Sequence, residues 1–341
     1  MHSLRLFATT GDTVARLDID HDGSVTTASF LEGSGAQCIA ADPHDPNRVF
    51  VGTFDNGVMR TLDGGETWAP TGASIPNARV LSIAVSPVDR PGGRSAVYAG
   101  TEPSALFRTA DDGLSWEAFP TLGELPSAST WSFPPRPWTH HVRWIAFHPA
   151  DAGTVYAGIE LGGVMVSRDG GGTWEDRKPG SQHDAHVIAT HPAAPARVYE
   201  AAGGGVARSD DAGGTWRPAD DGMDRHYVWG LAVDVADPDL WYVSATYGAN
   251  YAHHRDGDAR AVLYRRRGQS PWEALGGPRS GLPQPQPFMP YALVAPRGRA
   301  NALIAGMQNG TLFLTADAGA TWQMAETGLT SLRALSEAPR T

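Results

Sequence analysis

The sequence predicts an all-β fold: a seven-bladed β-propeller of four-stranded antiparallel blades, closed by a C-terminal inner strand that completes the N-terminal blade. Three observations predict it. An eight-residue turn motif recurs five times, a common strand pattern precedes the copies, and the tryptophan spacing divides the 341-residue chain into about seven units.

The motif, Ser/Thr-x-Asp-x-Gly-x-Thr/Ser-Trp, occupies residues 61–68, 109–116, 167–174, 209–216 and 315–322. A sixth stretch, 265–272, keeps Trp272 and lacks the aspartate. Asp63, Asp111, Asp169, Asp211 and Asp317 are expected to accept hydrogen bonds from backbone N–H groups two residues on. The motif glycine supplies a positive φ, and the Thr-Trp pair opens a new strand whose indole is buried between sheets. These aspartates are therefore read as structural.

Upstream of each box lie short β-branched and aromatic runs separated by Pro, Gly and Asp turns, as in Ile39–Pro43, Arg48–Gly52 and Gly57–Arg60, or Ile145–Pro149, Thr154–Gly158 and Gly163–Val166. Runs of that length between turns are strands of a meander. With the strand after the tryptophan they make four per unit, one blade.

The box tryptophans and Trp272 are spaced 48, 58, 42, 56 and 50 residues apart, which gives six units. The 19 residues after Trp322 and about 30 N-terminal residues make one more, because Arg333–Pro339 matches the inner strand Gln37–Pro43. The predicted blades are residues 1–30 with 331–341, then 36–70, 79–118, 141–176, 184–218, 227–275 and 289–325, all in a single domain. Closing the ring removes the open sheet edges.

The repeat resembles the BNR or Asp-box repeat of sialidases, xyloglucan-degrading enzymes, sortilin-type receptors and photosystem assembly factors, all propellers. The chain departs from true sialidases, since it has no Arg-Ile-Pro segment and counts to seven blades. Xyloglucan-degrading relatives use two propellers facing one cleft, and this sequence supplies one. In size it is most similar to the single-ring photosystem assembly factors, which implies a binder of partners. The resemblance to carbohydrate-active propellers implies a glycosidase-like alternative.

Composition excludes other classes. The formal charge is −10, from 37 acidic and 27 basic residues, and the one basic cluster is Arg265-Arg266-Arg267. Nonspecific nucleic-acid binding, which neutralises many phosphates, is not expected. No apolar run reaches the ~18–20 residues of a membrane helix, so no membrane partner is expected. The first residues hold no signal-peptide core and Cys38 is the lone cysteine, so a cytoplasmic protein without internal disulfides is expected.

Strand connectivity separates the two faces of the ring. The Asp boxes join the third and fourth strands, and share their face with the first-to-second turns that hold His44, His148 and His191. Turn capping is the expected role of these three histidines. The opposite face collects the second-to-third loops and the blade-to-blade linkers. Aligning the inner strands there puts His140, His183 and His226 at one offset in three consecutive blades, a candidate metal set. Three neutral imidazoles can hold a divalent ion, Zn, Fe, Mn or Cu, with a position left for water or substrate. A metal-free polar pocket and uncoupled surface histidines remain open alternatives.

Three residues further on, the ring reads Gln37, Leu81, Arg143, His186, Trp229 and Arg333, with the region of Pro290 in the seventh blade. From this set and its neighbours, His186, Arg143, Glu160 and Tyr227 are the candidate catalytic residues. Trp229, Arg333, His141, Asp184 and Glu102 are the candidate ligand-binding residues. Glu102 and Glu160 occupy one register on adjacent blades, and such a carboxylate pair suits glycoside hydrolysis when ~5–9.5 Å apart. The long loop 247–261 adds His253 and His254, bringing seven of the 12 histidines to one mouth.

The expected function is a metal-assisted hydrolase or lyase acting on a small-molecule ligand at this mouth. A protein-interaction scaffold using the same face and a glycosidase-like, carbohydrate-active propeller are the alternatives.

Overall fold

A computed structural model describes residues 4–254 and 256–339. The ends of the split blade, residues 1–3 and 340–341, and Arg255 in the long loop lie outside the described residues.

Seven antiparallel sheets follow one another around an axis, six of four strands and one of three. The ring closes between the chain ends. The inner strand Ala334–Ala338 pairs with Leu4–Thr9 from Arg5↔Ala338 to Thr9↔Ala334, with Val14–Ile19 and Val25–Phe30 outside them. A whole-blade example runs from inner to outer strand as Tyr227–Val233, Leu240–Thr246, Val262–Arg267 and Glu273–Leu275. The three-stranded sheet, Val142–Phe147, Val155–Ile159 and Gly163–Ser167, has only a Val166↔Glu175 bridge in place of its fourth strand.

The Asp box is a hydrogen-bonded hairpin, and its details correct the expected pattern. In the first copy Asp63 accepts from the backbone N–H of Thr67, four residues on, at 2.9 Å, and from the Thr67 hydroxyl. The Thr61 hydroxyl donates to Asp63 at 2.7 Å and accepts from Gly65 N–H at 2.9 Å. The same bonds recur at Asp111, Asp169, Asp211 and Asp317. Two consecutive positive φ values turn each hairpin, including non-glycine Asp112, Ala212 and Ala318 at +62°, +57° and +58°. The strain of those residues is tolerated because the box bonds over-determine the turn.

Boxes also lock neighbouring blades. The Trp116, Trp174, Trp216 and Trp322 indoles donate to the box glycine carbonyls at 3.2, 3.2, 3.1 and 3.0 Å. The preceding linker folds onto the tryptophan backbone, so that a Cβ on Gly281, at φ +83°, would lie 2.3 Å from the Trp322 carbonyl oxygen. Between blades the core is apolar and aromatic. Tyr199 packs on Trp241 at 5.0 Å between centroids, and Trp241 on Trp272 at 4.6 Å. Asp112, held in its box, pairs with Arg94 and with buried Arg48, which also bonds Asp42.

His148 and His191 cap first-to-second turns as expected, accepting from Ala150 and Ala193 N–H groups at 3.2 and 3.1 Å. No described helix is long and apolar enough to cross a membrane.

Candidate functional site

Near one mouth of the ring, six inner strands each carry an extra residue. Pairing with the second strand skips between Ala36 and Cys38, Val80 and Ser82, Val142 and Trp144, Ala185 and Val187, Val228 and Leu231, and Pro290 and Ala292. A bulge of this kind breaks the alternation of side chains and re-aims the extra residue. Gln37, Leu81, Arg143, Trp229 and Tyr291 thereby line a central cavity of about 1320 Å³, together with Arg333. Sequence alignment placed the seventh position near Pro290. The bulge puts Tyr291 there, at the end of the Pro- and aromatic-rich linker 282–290.

The fourth bulge, in the fifth blade, behaves differently. His186 is fully buried in the seam with the next blade, and its Nδ1 lies 2.7 Å from the Val228 carbonyl oxygen. A carbonyl can only accept, so Nδ1 carries a proton, and in the neutral ring Nε2 presents a lone pair. That Nε2 has no hydrogen-bond partner and sits 3.5 Å from Asp184 Oδ2. Direct acid–base contact with substrate, the role expected for His186, does not fit a fully buried ring.

The expected metal set does not come together. His140 is packed edge-on to Trp131 at 5.4 Å, His183 is exposed, and exposed His226 pairs with Asp220 at 3.3 Å. An equal offset on successive blades leaves them apart because each belongs to a linker with its own path. Among the described residues, Glu160, Asp184 and His186 bring three metal-capable donor atoms within 4.8 Å of one another.

The two glutamates on one register have different surroundings. Glu102 is buried under two guanidiniums, Arg79 at 2.9 Å and Arg136 from the long linker in a fork. Burial pushes its carboxyl up, but the bonds from Arg136 and Arg79 outweigh this and hold it below the usual range. Glu102 thus orders the linker and is not a free ligand-binding acid. Glu160 lines the cavity and lies 3.0 Å from His141 Nε2 and 3.8 Å from Arg143 Nε. Burial raises its pKa, yet the hydrogen bond and charge of His141 and the charges of His186 and Arg143 bring it down to about 2. Buried His141 stands between the two acids, with Nδ1 3.9 Å from Glu102. The pair expected for glycoside hydrolysis is therefore bridged by a histidine, and both members are held as carboxylates.

An aromatic wall completes the mouth. Tyr227 stacks on Trp229 at 6.2 Å, Trp229 meets Tyr291 at 5.4 Å, and the Arg143 guanidinium covers the Trp229 ring at 4.7 Å. His253 from the long loop sits edge-on to Trp229 at 4.9 Å, 2.8 Å from the Tyr291 hydroxyl and 3.3 Å from that of Tyr227. Arg333 donates to the Gln37 side chain. Phe133 and Arg136, from the Pro- and aromatic-rich linker 122–137, also line the cavity, as do Phe54, Gln308 and Asn309. Phe54 and Gln308 hold the register of Glu102 and Glu160, two residues after a second-strand glycine, and being neither acid nor base they escaped sequence reading. The five box aspartates are absent from this lining, as connectivity requires. Of the seven histidines expected at the mouth, His141 and His253 face the cavity.

No known family model matches the chain. In an alignment 170 positions long that covers 41% of this chain, it is 28% identical to the xyloglucanase Xgh74A of Acetivibrio thermocellus, and the match spans 19% of that relative. Its fold superposes on the GH74 xyloglucanase of Xanthomonas campestris with a TM-score of 0.68 at 16% identity, covering 99% of this chain and 53% of that one. It also superposes on YCF48 bound to a D1 peptide, with a TM-score of 0.56 at 18% identity, covering 85% of this chain and 81% of that one. The chain is a seven-bladed propeller repeat protein, similar in fold both to one part of larger xyloglucanases and to a single-ring peptide binder.

Proposed function

We propose that the protein is a carbohydrate-active propeller whose central mouth receives a saccharide, with glycoside hydrolysis as the reaction class. The observation that carries this reading is the aromatic wall of Tyr227, Trp229 and Tyr291 beside a carboxylate held ionised, Glu160. A pyranose ring has apolar C–H faces that lie on aromatic rings and hydroxyl edges that need polar partners. The amides of Gln308 and Asn309, the guanidiniums of Arg143 and Arg333, and Glu160 supply those partners around the wall. The partial likeness to xyloglucanases supports the same substrate class. In this role Glu160 would act as a base toward water or stabilise positive charge at the sugar carbon, because a group with a pKa of about 2 is not a proton donor near neutrality, and the leaving oxygen would take its proton from a donor other than the two glutamates.

A glycan array followed by calorimetry with the hits, xyloglucan oligosaccharides included, tests the proposal. Saccharide binding that is lost in Trp229→Ala supports it. An array without hits, together with no release of reducing ends from polysaccharides, overturns it.

A second reading, a scaffold that grips a peptide at the same mouth, rests on the single-ring match to peptide-bound YCF48. Arg143 and Arg333 would meet a peptide carboxylate there. A peptide library that yields binders sensitive to Arg333→Ala, beside an empty glycan array, selects this reading.

A further inference from the structure

We propose that Glu160, Asp184 and His186 form a binding site for one divalent transition-metal ion in the wall of the central cavity, with Zn²⁺ or Mn²⁺ as the fitting class. The argument starts from His186. Its ring is fully buried, the Val228 carbonyl holds a proton on Nδ1, and Nε2 faces Asp184 with no hydrogen-bond partner. A nitrogen buried against carboxylate oxygens calls for a positive charge between them, a proton on the ring or a bound cation, and the 3.5 Å gap to Asp184 is wider than an ordinary N–H···O bond. Asp184 adds a second signal, because its Oδ1 is also buried without a hydrogen-bond partner.

The distances suit an ion. Two donors each ~2.1 Å from one metal at the tetrahedral angle lie ~3.4 Å apart. His186 Nε2 and Asp184 Oδ2 are separated by 3.5 Å. Glu160 completes a set whose donor atoms span no more than 4.8 Å, which a small rotation of the two carboxylate side chains closes. A carbonyl holding the far nitrogen of a ligating histidine is the usual means of fixing its tautomer and aim, and Val228 does this for His186. His141 steadies Glu160 from the other side at 3.0 Å.

One imidazole with two carboxylates favours a borderline ion over a soft one such as Cu⁺, and over Ca²⁺, which takes six or more oxygens. Three protein ligands leave positions open toward the cavity, an arrangement that exposes bound water to a substrate. Arg143, 3.8 Å from Glu160, competes with the ion for that carboxylate.

The site stands independently of the saccharide reading and is tested without any sugar. Untagged protein is stripped with EDTA, dialysed, and titrated calorimetrically with ZnCl₂ and with MnCl₂, and freshly purified protein is analysed for bound metal. The expected result is one ion per chain for at least one of the two metals. Asp184→Asn and Glu160→Gln each lower the affinity tenfold or more with an unchanged circular dichroism spectrum. Arg143→Gln raises it, and His183→Ala and His226→Ala leave it as it was. His186→Ala is expected to abolish binding, and the two carboxylate variants keep the test decisive if that variant does not fold. No stoichiometric binding of either ion, or binding unaffected by Asp184→Asn, overturns the proposal and leaves His186 Nε2 to a buried water.

Discussion

The Nε2 of His141 lies 3.0 Å from Oε2 of Glu160, and the two residues are neighbours at one end of a blade, His141 just before its inner strand and Glu160 just after the second strand paired with it. With His186 and Arg143 nearby, this contact overcomes burial and brings the Glu160 pKa from 4.5 down to about 2. A carboxyl lowered in the folded state stabilises the fold above its unfolded pKa, and that contribution is lost as pH falls through the folded value. Glu160→Gln is therefore expected to cost on the order of 2–3 kcal/mol at pH 7. The gap between variant and parent should shrink steadily from pH 4.5 toward pH 2. Urea midpoints across that range check the prediction, and a gap independent of pH refutes it.

Trp229 sits on a bulge with Arg143 across its face at 4.7 Å. If the indole is the stacking surface for a ligand, Trp229→Ala should weaken binding about tenfold, the equivalent of ~1.4 kcal/mol. Trp229→Phe should recover part of that affinity. Calorimetry with the best glycan-array ligand measures both, and equal affinities for parent and Ala variant would place the ligand elsewhere.

In the last Asp box, Asp317 accepts from Thr321 N–H at 2.9 Å and from the Thr321 and Thr315 hydroxyls at 2.6 and 2.7 Å. Those bonds outweigh the upward push of burial and lower its pKa to about 2. Asp317→Ala should lower the melting temperature at pH 7 by about 2–4 °C per kcal/mol lost, without changing ligand or metal affinity. The loss should fade as pH approaches 2, where the parent aspartate is itself protonated. An altered ligand affinity in this variant would contradict the separation of the two faces.

Gly281 tests the contact between linker and box. An alanine Cβ would stand 2.3 Å from the Trp322 carbonyl oxygen at a φ of +83°. Gly281→Ala must distort that contact and the Ser280–Trp322 bond of 2.7 Å. The expected outcome is a melting temperature several degrees below that of the parent, read by calorimetry, whereas Gly298→Ala, with open space around its Cβ position, should cost less.

Much of the ring was legible because its signals are local. The hydrogen bonds that make Asp63 a turn lie within residues 61–67, so the eight-residue motif contains its own cause. The tryptophan spacing then counted the blades, and the match of Arg333–Pro339 to Gln37–Pro43 located the closing strand. Arg143, Trp229, Glu160, Asp184, His141, Tyr227 and Arg333 reached the cavity as expected, since inner-strand register predicts which end a residue occupies.

What register cannot decide is where a side chain turns at a bulge or which neighbours meet across a seam. His186 and Trp229 hold equivalent positions, yet Trp229 faces the cavity and His186 turns into the next blade, where the Val228 carbonyl captures it. His140, His183 and His226 share an offset and go separate ways because their linkers differ in length and packing. Glu102 is withdrawn by Arg136, 34 residues away on a linker with no repeat. The sequence by itself determined a closed seven-bladed ring and the face that carries its polar mouth, because those follow from bonds between close residues and from a fixed period. Only the tertiary structure decided which acids face the cavity, which histidine turns into a seam between blades and which aromatics form one wall, because those depend on contacts between blades and on bulges that no motif records.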